Sequence, residues 1–195
     1  SALAVFGLRD PVRKDTPTAI RKLHAQGIEV VMCTGDHAGT AQAVAQELKI
    51  KSVHSRVLPE HKADIIRELQ QQGFSVGMVG DGINDAPALA QAQVGFAIGS
   101  GTDVAKQSAD VTLASNSLAS VATAIALSKA TLRNIKQNLF GAFIYNTTGI
   151  PLAAGLFYPL SGWLLSPVFA SVAMALSSVT VVSNANRLRL FKPVE

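Results

Sequence analysis

The chain has 195 residues, enough for one core-forming domain and a little more; 48% are hydrophobic, and the single cysteine excludes an internal disulfide. Its net charge of +4 is uneven, because positions 1–110 carry 11 basic and 12 acidic side chains and positions 111–195 carry six and one. This local basic excess suits anionic lipid head groups, and without a basic stripe interleaved with aromatic residues we expect no nucleic-acid binding.

The first 115 residues alternate short apolar runs with helical patterns, which is typical of a parallel sheet with crossover helices. The sequence opens on a pattern that suits the middle of a strand, so we expect the chain to begin inside a domain. Cys33 ends an apolar run and is expected to be a small buried residue of a cytosolic domain. Strands are predicted at 3–8, 28–33, 53–55, 76–79, 94–98 and 111–113, and helices at 18–26, 40–48, 61–72, 86–91 and 103–108.

The composition changes after residue 117. Residues 118–136 predict one alanine-rich helix, and no Asp, Glu, Lys or Arg occurs in the 50 positions from 137 to 186. One membrane span needs about 20 apolar residues, so we predict two spans at about 139–157 and 164–182. The predicted domains are 1–117, a connecting helix over 118–138, the two-span segment 139–186, and a tail over 187–195.

The flanking charges predict how the spans are oriented. Lys129, Arg133 and Lys136 precede the first predicted span, Arg187 follows the second, and the connection between the spans carries no positive charge. The positive-inside rule therefore places both ends in the cytoplasm. We expect an integral protein of a bacterial inner membrane.

A nine-residue string, VGDGINDAP at 79–87, is the strongest functional signal. It delivers Asp81 at the carboxyl end of a predicted strand, where open parallel sheets bind ligands. Asp81 and Asp85 lie four residues apart across a turn into a helix. Mg²⁺ prefers a few carboxylates with phosphate oxygens and water, so the two acids predict a magnesium site.

Two further elements indicate phosphate binding. Thr34, Gly35 and Asp36 follow the predicted strand 28–33, where a hydroxyl and backbone amides can hold a phosphoryl group. Lys62 lies in the first turn of a predicted helix, where the helix dipole disfavours a cation unless an anion binds nearby. A common helix entry and an ordinary surface lysine are the alternatives for these elements taken singly.

In this order, the threonine, the lysine and the Gly-Asp-Gly-x-Asn-Asp turn resemble the haloacid-dehalogenase-like phosphorylation domain of P-type ATPases. The stretch DPVR at 10–13 is similar to that family's hinge into the domain. The resemblance implies that Asp81 and Asp85 bind Mg²⁺, with Asn84 nearby, and that Thr34 and Lys62 contact the phosphoryl group. Gly35 and Asp36 would lie close to that site.

One departure from the family is large. The family's nucleophilic aspartate lies in an Asp-Lys-Thr-Gly-Thr string that this chain lacks, and its Thr-Gly-Glu dephosphorylation loop is also missing. The expected nucleophile and most of the ATP-binding surface would belong to other domains of the pump, so we expect no ATP hydrolysis from these 195 residues alone. The expected partners are the actuator and nucleotide domains, the other membrane helices and the lipid bilayer, and a chaperone that delivers the transported ion is a further candidate.

The predicted spans carry few polar residues, and such residues tend to mark function. Tyr145 and Asn146, followed by a proline at 151, with Met174 and Ser178 in the next span, resemble the copper(I)-transporting branch of the heavy-metal P-type ATPases. A thioether suits Cu(I), and the oxygen donors would make a weak transit site. Helix packing is the alternative role for Met174 and the serine.

Three functional classes stay open at this point. The favoured one is an ATP-driven copper(I) transporter that forms an aspartyl phosphate and exports the ion. A pump for another cation, such as silver or zinc, is the second; a divalent ion in hydrocarbon wants a countercharge, which these helices lack. The third is a self-contained haloacid-dehalogenase-like membrane phosphatase, for which Asp10 would have to serve as the nucleophile.

Overall fold

The computed structural model describes residues 11–99, 101–162 and 166–192, and these divide into two compact units, Ser1–Thr123 and Ala124–Glu195. The predicted first strand, 3–8, lies outside the described residues. The helices are α1 (Thr16–Ala25), α2 (Ala38–Leu48), α3 (Lys62–Gln71), α4 (Ala86–Gln91), α5 (Asp103–Ser108), α6 (Ala119–Ala153), α7 (Tyr158–Ser161) and α8 (Pro167–Asn186), and the strands are β1 (Val31–Cys33), β2 (Ser52–His54), β3 (Gly77–Gly80), β4 (Val94–Ala97) and β5 (Val111–Thr112).

All strand pairs are parallel, as the alternating pattern predicts. β1 pairs with β2, Met32 lying opposite Val53, and β3, β4 and β5 form a three-stranded sheet in that order. Val79 lies opposite Phe96 in the β3–β4 pair. Because parallel strands end at the same edge, the loops after β3 and β4 lie side by side.

Local signals explain where the helices begin and end. The side chain of His37 accepts a hydrogen bond from the Gly39 amide at 3.2 Å and caps α2, which ends at Lys49 in the left-handed conformation. Thr102 caps α5 by accepting from the Ala105 amide at 3.3 Å. Such caps satisfy backbone groups that the first and last turns leave unpaired.

The core of the first unit is built around α4. Leu89 is fully buried, and α4 packs against α3, α5 and β4. Small residues form most of the rest of this core, including Ala88, Ala97 and Ala105. Close packing of small side chains brings backbone segments together, so several glycines have no room for a side chain.

The predicted elements agree with the structure over most of the first unit. Helices α4 and α5 have the predicted bounds, and the other helices differ by one or two residues at their ends. β1 is shorter than predicted, because 28–30 has no strand partner among the described residues. The 3-10 turns Pro59–His61 and Ile83–Asp85, which lead into α3 and α4, were not predicted.

The predicted connecting helix and the start of the first predicted span form one continuous helix. α6 has 35 residues and is therefore about 52 Å long at 1.5 Å per residue. Pro151 lies inside it and cannot donate to the carbonyl four residues earlier. The short helix α7 ends at Gly162, which has a left-handed backbone, in the segment predicted as a turn.

One helical segment of the described chain, Val168–Leu190, is long and apolar enough to cross a membrane by length and composition. It overlaps the second predicted span. The large apolar residues of α6 and α8 are mostly exposed in the isolated chain, including Phe140 and Val179. The bounds of both spans stay predictions.

A glycine substitution tests the packing of α4 on β4. A Cβ added at Gly95 would lie 2.8 Å from the Leu89 carbonyl oxygen and 3.3 Å from the Ala109 Cα, both of them backbone atoms. We expect Gly95→Ala to lower the free energy of unfolding by about 1–3 kcal/mol, because the overpacked backbone must move.

The matched control is Gly39→Ala, where the nearest atom to the new Cβ is the His37 Nδ1 at 3.7 Å. This variant should unfold at or slightly above the native temperature, since alanine reduces the entropy of the unfolded chain. Thermal unfolding followed by circular dichroism compares the two. Equal midpoints would contradict the packing described here.

Candidate functional site

The loop after β1 is held in a defined shape by its own side chains and by the segment after β2. The Thr34 hydroxyl donates to the Asp36 carboxylate at 2.9 Å and accepts from the Asp36 amide at 3.1 Å. The Thr34 amide donates to the His54 carbonyl at 2.9 Å, and the Val57 amide donates to the Thr34 carbonyl at 3.0 Å. Gly35, between Thr34 and Asp36, is exposed, so the loop presents its backbone to solvent.

The turn after β3 is organised around a buried carboxylate. Asp85 is 8% exposed, and its Oδ1 pairs with the Lys62 ammonium at 2.7 Å. Its Oδ2 accepts from the Asp81 amide at 3.4 Å. A Cβ on Gly80 would lie 2.6 Å from the Asp85 Cβ, so only glycine lets the strand end pass this close to the carboxylate.

Asp81 has different surroundings from Asp85. Its side chain is exposed, and among the described residues no group donates to its carboxylate. Its backbone carbonyl accepts from the Thr102 amide at 3.0 Å, and a Cβ on Gly101 would lie 3.1 Å from the same carbonyl oxygen. The loop after β4 therefore holds the Asp81 backbone, while the Asp81 side chain lies exposed.

The charges of Lys62 and Asp85, which pair at the turn after β3, also act on Cys33 at the end of β1. Burial is the main cause that raises the pKa of the Cys33 thiol. The Lys62 ammonium lowers this pKa, and the Asp85 carboxylate raises it further. Both charges therefore act on the residue that directly precedes Thr34. The 3-10 turns before α3 and α4 also contact each other, so the predicted phosphate elements converge at one edge.

The predicted magnesium ligands fit the ion unequally. The described residues contain no group of three or more His, Cys, Asp and Glu side chains that could hold a metal alone. A Mg²⁺ site completed by phosphate oxygens and water needs fewer acids, and the free Asp81 carboxylate suits it. Both Asp85 oxygens already have partners, and its role as a ligand stays a prediction, as does the role of the exposed Asn84.

The predicted ion-path residues of the second unit lie on α6 and α8. Met174 is 72% exposed, and Ser178 donates to the Met174 carbonyl at 3.3 Å one turn earlier. Asn146 is exposed and donates to the Ala142 carbonyl at 3.0 Å, whereas Tyr145 is half-buried. Their assignment to an ion path stays a prediction.

Sequence reasoning missed two groups that the structure singles out. Gly101 and Thr102 lie against the Asp81 backbone, and the glycine-rich run after the predicted strand 94–98 was the available signal. Asn134 and Asn184 join α6 to α8 through side-chain amides. Their available signal was an asparagine near each end of the charge-free stretch 137–186.

Comparison with known proteins agrees with this geometry. Residues 1–93 and 63–125 each match a family described as haloacid dehalogenase-like hydrolases. The chain is 62% identical over 96% of its length to a copper-exporting P-type ATPase of Vibrio cholerae, and 58% identical over 97% of its length to copper-transporting ATPase 2 of Rhizobium meliloti. It is 53% identical over 95% of its length to a silver-exporting P-type ATPase of Salmonella typhimurium.

A solved structure is also similar. A zinc-transporting PIB-type ATPase in the E2.Pi state matches 92% of this chain with a TM-score of 0.78 and 39% identity. The chain covers 28% of that structure, 20% of the Vibrio protein, 23% of the Rhizobium protein and 22% of the Salmonella protein. It thus spans about a fifth to a quarter of the curated relatives.

The reactivity of Cys33 tests whether the two strand ends meet. Because the Lys62 ammonium lowers the thiol pKa and the Asp85 carboxylate raises it, Lys62→Met should raise this pKa and slow alkylation below it. Asp85→Asn should lower the pKa and speed alkylation. The measurement is the rate of iodoacetamide labelling of Cys33 from pH 7 to 10, read by peptide mass spectrometry.

The control is Arg67→Met, which removes a cation whose ion pair is with the exposed Asp64. It should leave the labelling profile unchanged. Profiles that coincide for all the variants would mean that neither charge acts on the thiol, and the two strand ends would then lie farther apart than described.

Proposed function

Because the chain belongs to the P-type ATPases, we propose that it supplies part of the phosphorylation site and two helices of the ion path of a copper(I) exporter. The intact pump hydrolyses ATP through an aspartyl phosphate on a residue outside this chain. The observation that carries the catalytic part is the Lys62–Asp85 pair beside the free Asp81 carboxylate.

The chain's own residues prepare this site for a phosphoryl group. Asp85 holds the Lys62 ammonium at the edge of the sheet, where it can neutralise phosphoryl oxygens. Thr34 and the backbone of Gly35 offer a hydroxyl and an amide, oriented by Asp36. Asp81 would hold Mg²⁺ with Asn84 close by, and the ion would supply charge neutralisation at the phosphate.

The choice of ion depends on the absence of charged residues from positions 137–186 and on the thioether of Met174. Positions 137–186 contain no ionisable Asp, Glu, Lys or Arg, so a monovalent ion suits them better than a divalent one. Met174 is a soft donor, and Tyr145, Asn146 and Ser178 are weak oxygen donors for Cu(I). One soft donor with weak oxygen donors would bind Cu(I) loosely enough to release it.

Silver is the second candidate ion. The Salmonella relative is named a silver exporter, and Ag(I) shares the charge and the preference for soft ligands on which the copper argument rests. The similar solved structure is described as a zinc transporter. The absence of Asp, Glu, Lys and Arg from positions 137–186 disfavours a divalent ion here, because such an ion in hydrocarbon needs a countercharge. A direct comparison of the three ions separates these candidates.

The remaining expectations concern the surroundings of the pump. We propose that it lies in a bacterial inner membrane with both chain ends in the cytoplasm, because the basic residues flank the charge-free stretch on both sides. Nucleotide and actuator domains and further helices would complete it, with ATP held mainly by the nucleotide domain. A copper chaperone would deliver the ion.

Phosphoenzyme formation tests the catalytic residues in the intact pump. Lys62→Ala and Asp81→Asn should each lower the phosphoprotein formed from radiolabelled ATP by roughly 10²-fold, because each removes a charge that faces the transferred phosphoryl group. Lys106→Ala is the matched control; its only ion pair among the described contacts is with Asp103, at 3.9 Å. Native phosphoprotein levels in Asp81→Asn would rule out this assignment.

Metal-stimulated ATP hydrolysis in lipid vesicles tests the ion. We expect Cu(I) or Ag(I), and not Zn(II), to stimulate the native pump. Met174→Ala should raise the half-saturating Cu(I) concentration roughly tenfold, the equivalent of about 1.4 kcal/mol of binding free energy. Leu176→Ala removes a similar volume from an exposed position of the same helix and should change little; stimulation by Zn(II), or a native response in Met174→Ala, would contradict the proposal.

A further inference from the structure

Three asparagine amides form a closed ring between α6 and α8. The Asn134 amide donates to the Asn184 backbone carbonyl at 2.6 Å, and the Asn184 amide donates to the Asn138 carbonyl oxygen at 2.9 Å. The Asn138 amide returns to the Asn134 side-chain oxygen at 3.1 Å. Asn134 is 7% exposed, and Asn138 and Asn184 are half-buried.

The ring specifies its own geometry. Asn134 and Asn138 each use their amide as donor and their carbonyl as acceptor, so turning either amide over would place like groups against each other. The Asn184 carbonyl lies in the last turn of α8, where it accepts from the Arg187 amide as well as from Asn134. Arg187 also donates to the Asn184 side chain, at 3.1 Å, and supports its orientation.

Burial follows one stripe on each helix away from the ring. The less exposed residues recur every three or four positions, which is the spacing of a helix–helix seam. On α6 they include Asn138, Ala142 and Tyr145, and on α8 they include Asn184, Val181, Ser177 and Ala173. The half-buried Gly141 and Gly149 of α6 face open space, since a Cβ added there would meet no atom within 4 Å. These stripes start at the ring and run toward the connection between the helices, so the two helices run antiparallel.

The ring therefore sets which residues are level with each other. Tyr145 lies seven residues after Asn138, and Ser177 lies seven residues before Asn184. At 1.5 Å per residue, Tyr145 lies about 10.5 Å along α6 from Asn138, and Ser177 lies about 10.5 Å along α8 from Asn184. Tyr145 and Ser177 thus occupy the same height on the two facing stripes.

The same constraint sets the rotation of the helices. In two antiparallel right-handed helices, one step toward the carboxyl end turns the side chain to the same side of the pair on both. Asn146 follows Tyr145 and Ser178 follows Ser177, so both project to one side of the pair. Met174, one turn before Ser178, shares that side, and all three are exposed, unlike the seam residues.

We propose that the Asn134–Asn138–Asn184 ring is a positioning site that sets the register and rotation of α6 against α8. It thereby holds Asn146 on one helix level with the Met174–Ser178 face of the other, at about 9–15 Å from the ring. The part of this inference that concerns a bound ion rests on the function proposed above. An uncharged clamp performs this task without placing a charge beside a weak cation site.

The test uses the full-length pump in vesicles with Asn138→Leu or Asn184→Leu, which keep side-chain volume and remove the amide. Each should raise the half-saturating Cu(I) concentration roughly tenfold with the maximal rate within about twofold, because displaced ligands weaken binding. Asn186→Leu makes the same change two residues beyond the ring, at an exposed position, and should behave as native.

Two comparisons separate positioning from general structure. The double variant should be no weaker than either single variant, since one substitution already opens the ring. Asn138→Gln keeps a neutral amide that can accept from the Asn184 amide and donate to the Asn134 oxygen, and it should recover part of the lost affinity. Phosphoprotein formed from inorganic phosphate, which depends on the catalytic site, should stay at the native level in all of them.

Register is read independently of the ion by disulfide bridging. Tyr145→Cys with Ser177→Cys should bridge in membranes, and Tyr145→Cys with Val181→Cys, one turn away, should not, as identified by mass spectrometry of the bridged peptide. Adding Asn138→Leu should let the second pair bridge. Ring variants with native bridging and native Cu(I) dependence would overturn the proposal, as would altered bridging without an affinity change.

A native pump that Cu(I) does not stimulate would refute the proposed function instead. The bridging pattern would then decide alone whether the ring sets the register, because it needs neither the ion nor ATP.

Discussion

The ion pair between Lys62 and Asp85 is the contact on which the catalytic half of the molecule depends. A carboxylate that is 8% exposed is stable only when it is paired and hydrogen-bonded, since an uncompensated buried charge is costly. The pair, at 2.7 Å, joins the start of α3 to the turn after β3. The same carboxylate accepts from the Asp81 amide, so the contact also ties Lys62 to the turn that carries Asp81.

This arrangement explains why the two acids of the turn are not equivalent. One carboxylate oxygen of Asp85 pairs with Lys62, and the other accepts from the Asp81 amide, so Asp85 holds these two residues together. Asp81 keeps an exposed carboxylate on a backbone that the loop around Gly101 and Thr102 holds in place. Two residues with the same side chain thus have different surroundings, Asp85 buried and paired and Asp81 exposed.

The two units solve the same positioning problem with different chemistry. In the first unit, the charged pair of Lys62 and Asp85 joins the start of α3 to the turn after β3. Between α6 and α8, where the sequence contains no charge over 50 positions, neutral amides join the helices instead. A charge there would need a partner in a medium of low dielectric constant, whereas an amide needs only a donor and an acceptor.

Sequence by itself determined the element order, the parallel sheets, the uncharged helical segment and the residue types of the site, because periodicity and strand-end motifs are local properties. It also led to the P-type ATPase family through the turn at 79–87. Tertiary structure alone decided that Asp85 faces Lys62, that Gly101 braces Asp81, and that Asn134 and Asn138 meet Asn184. Those contacts join residues between 20 and 50 positions apart, so the packing of separate elements brings them together, and no local pattern encodes which side chain a buried donor will meet.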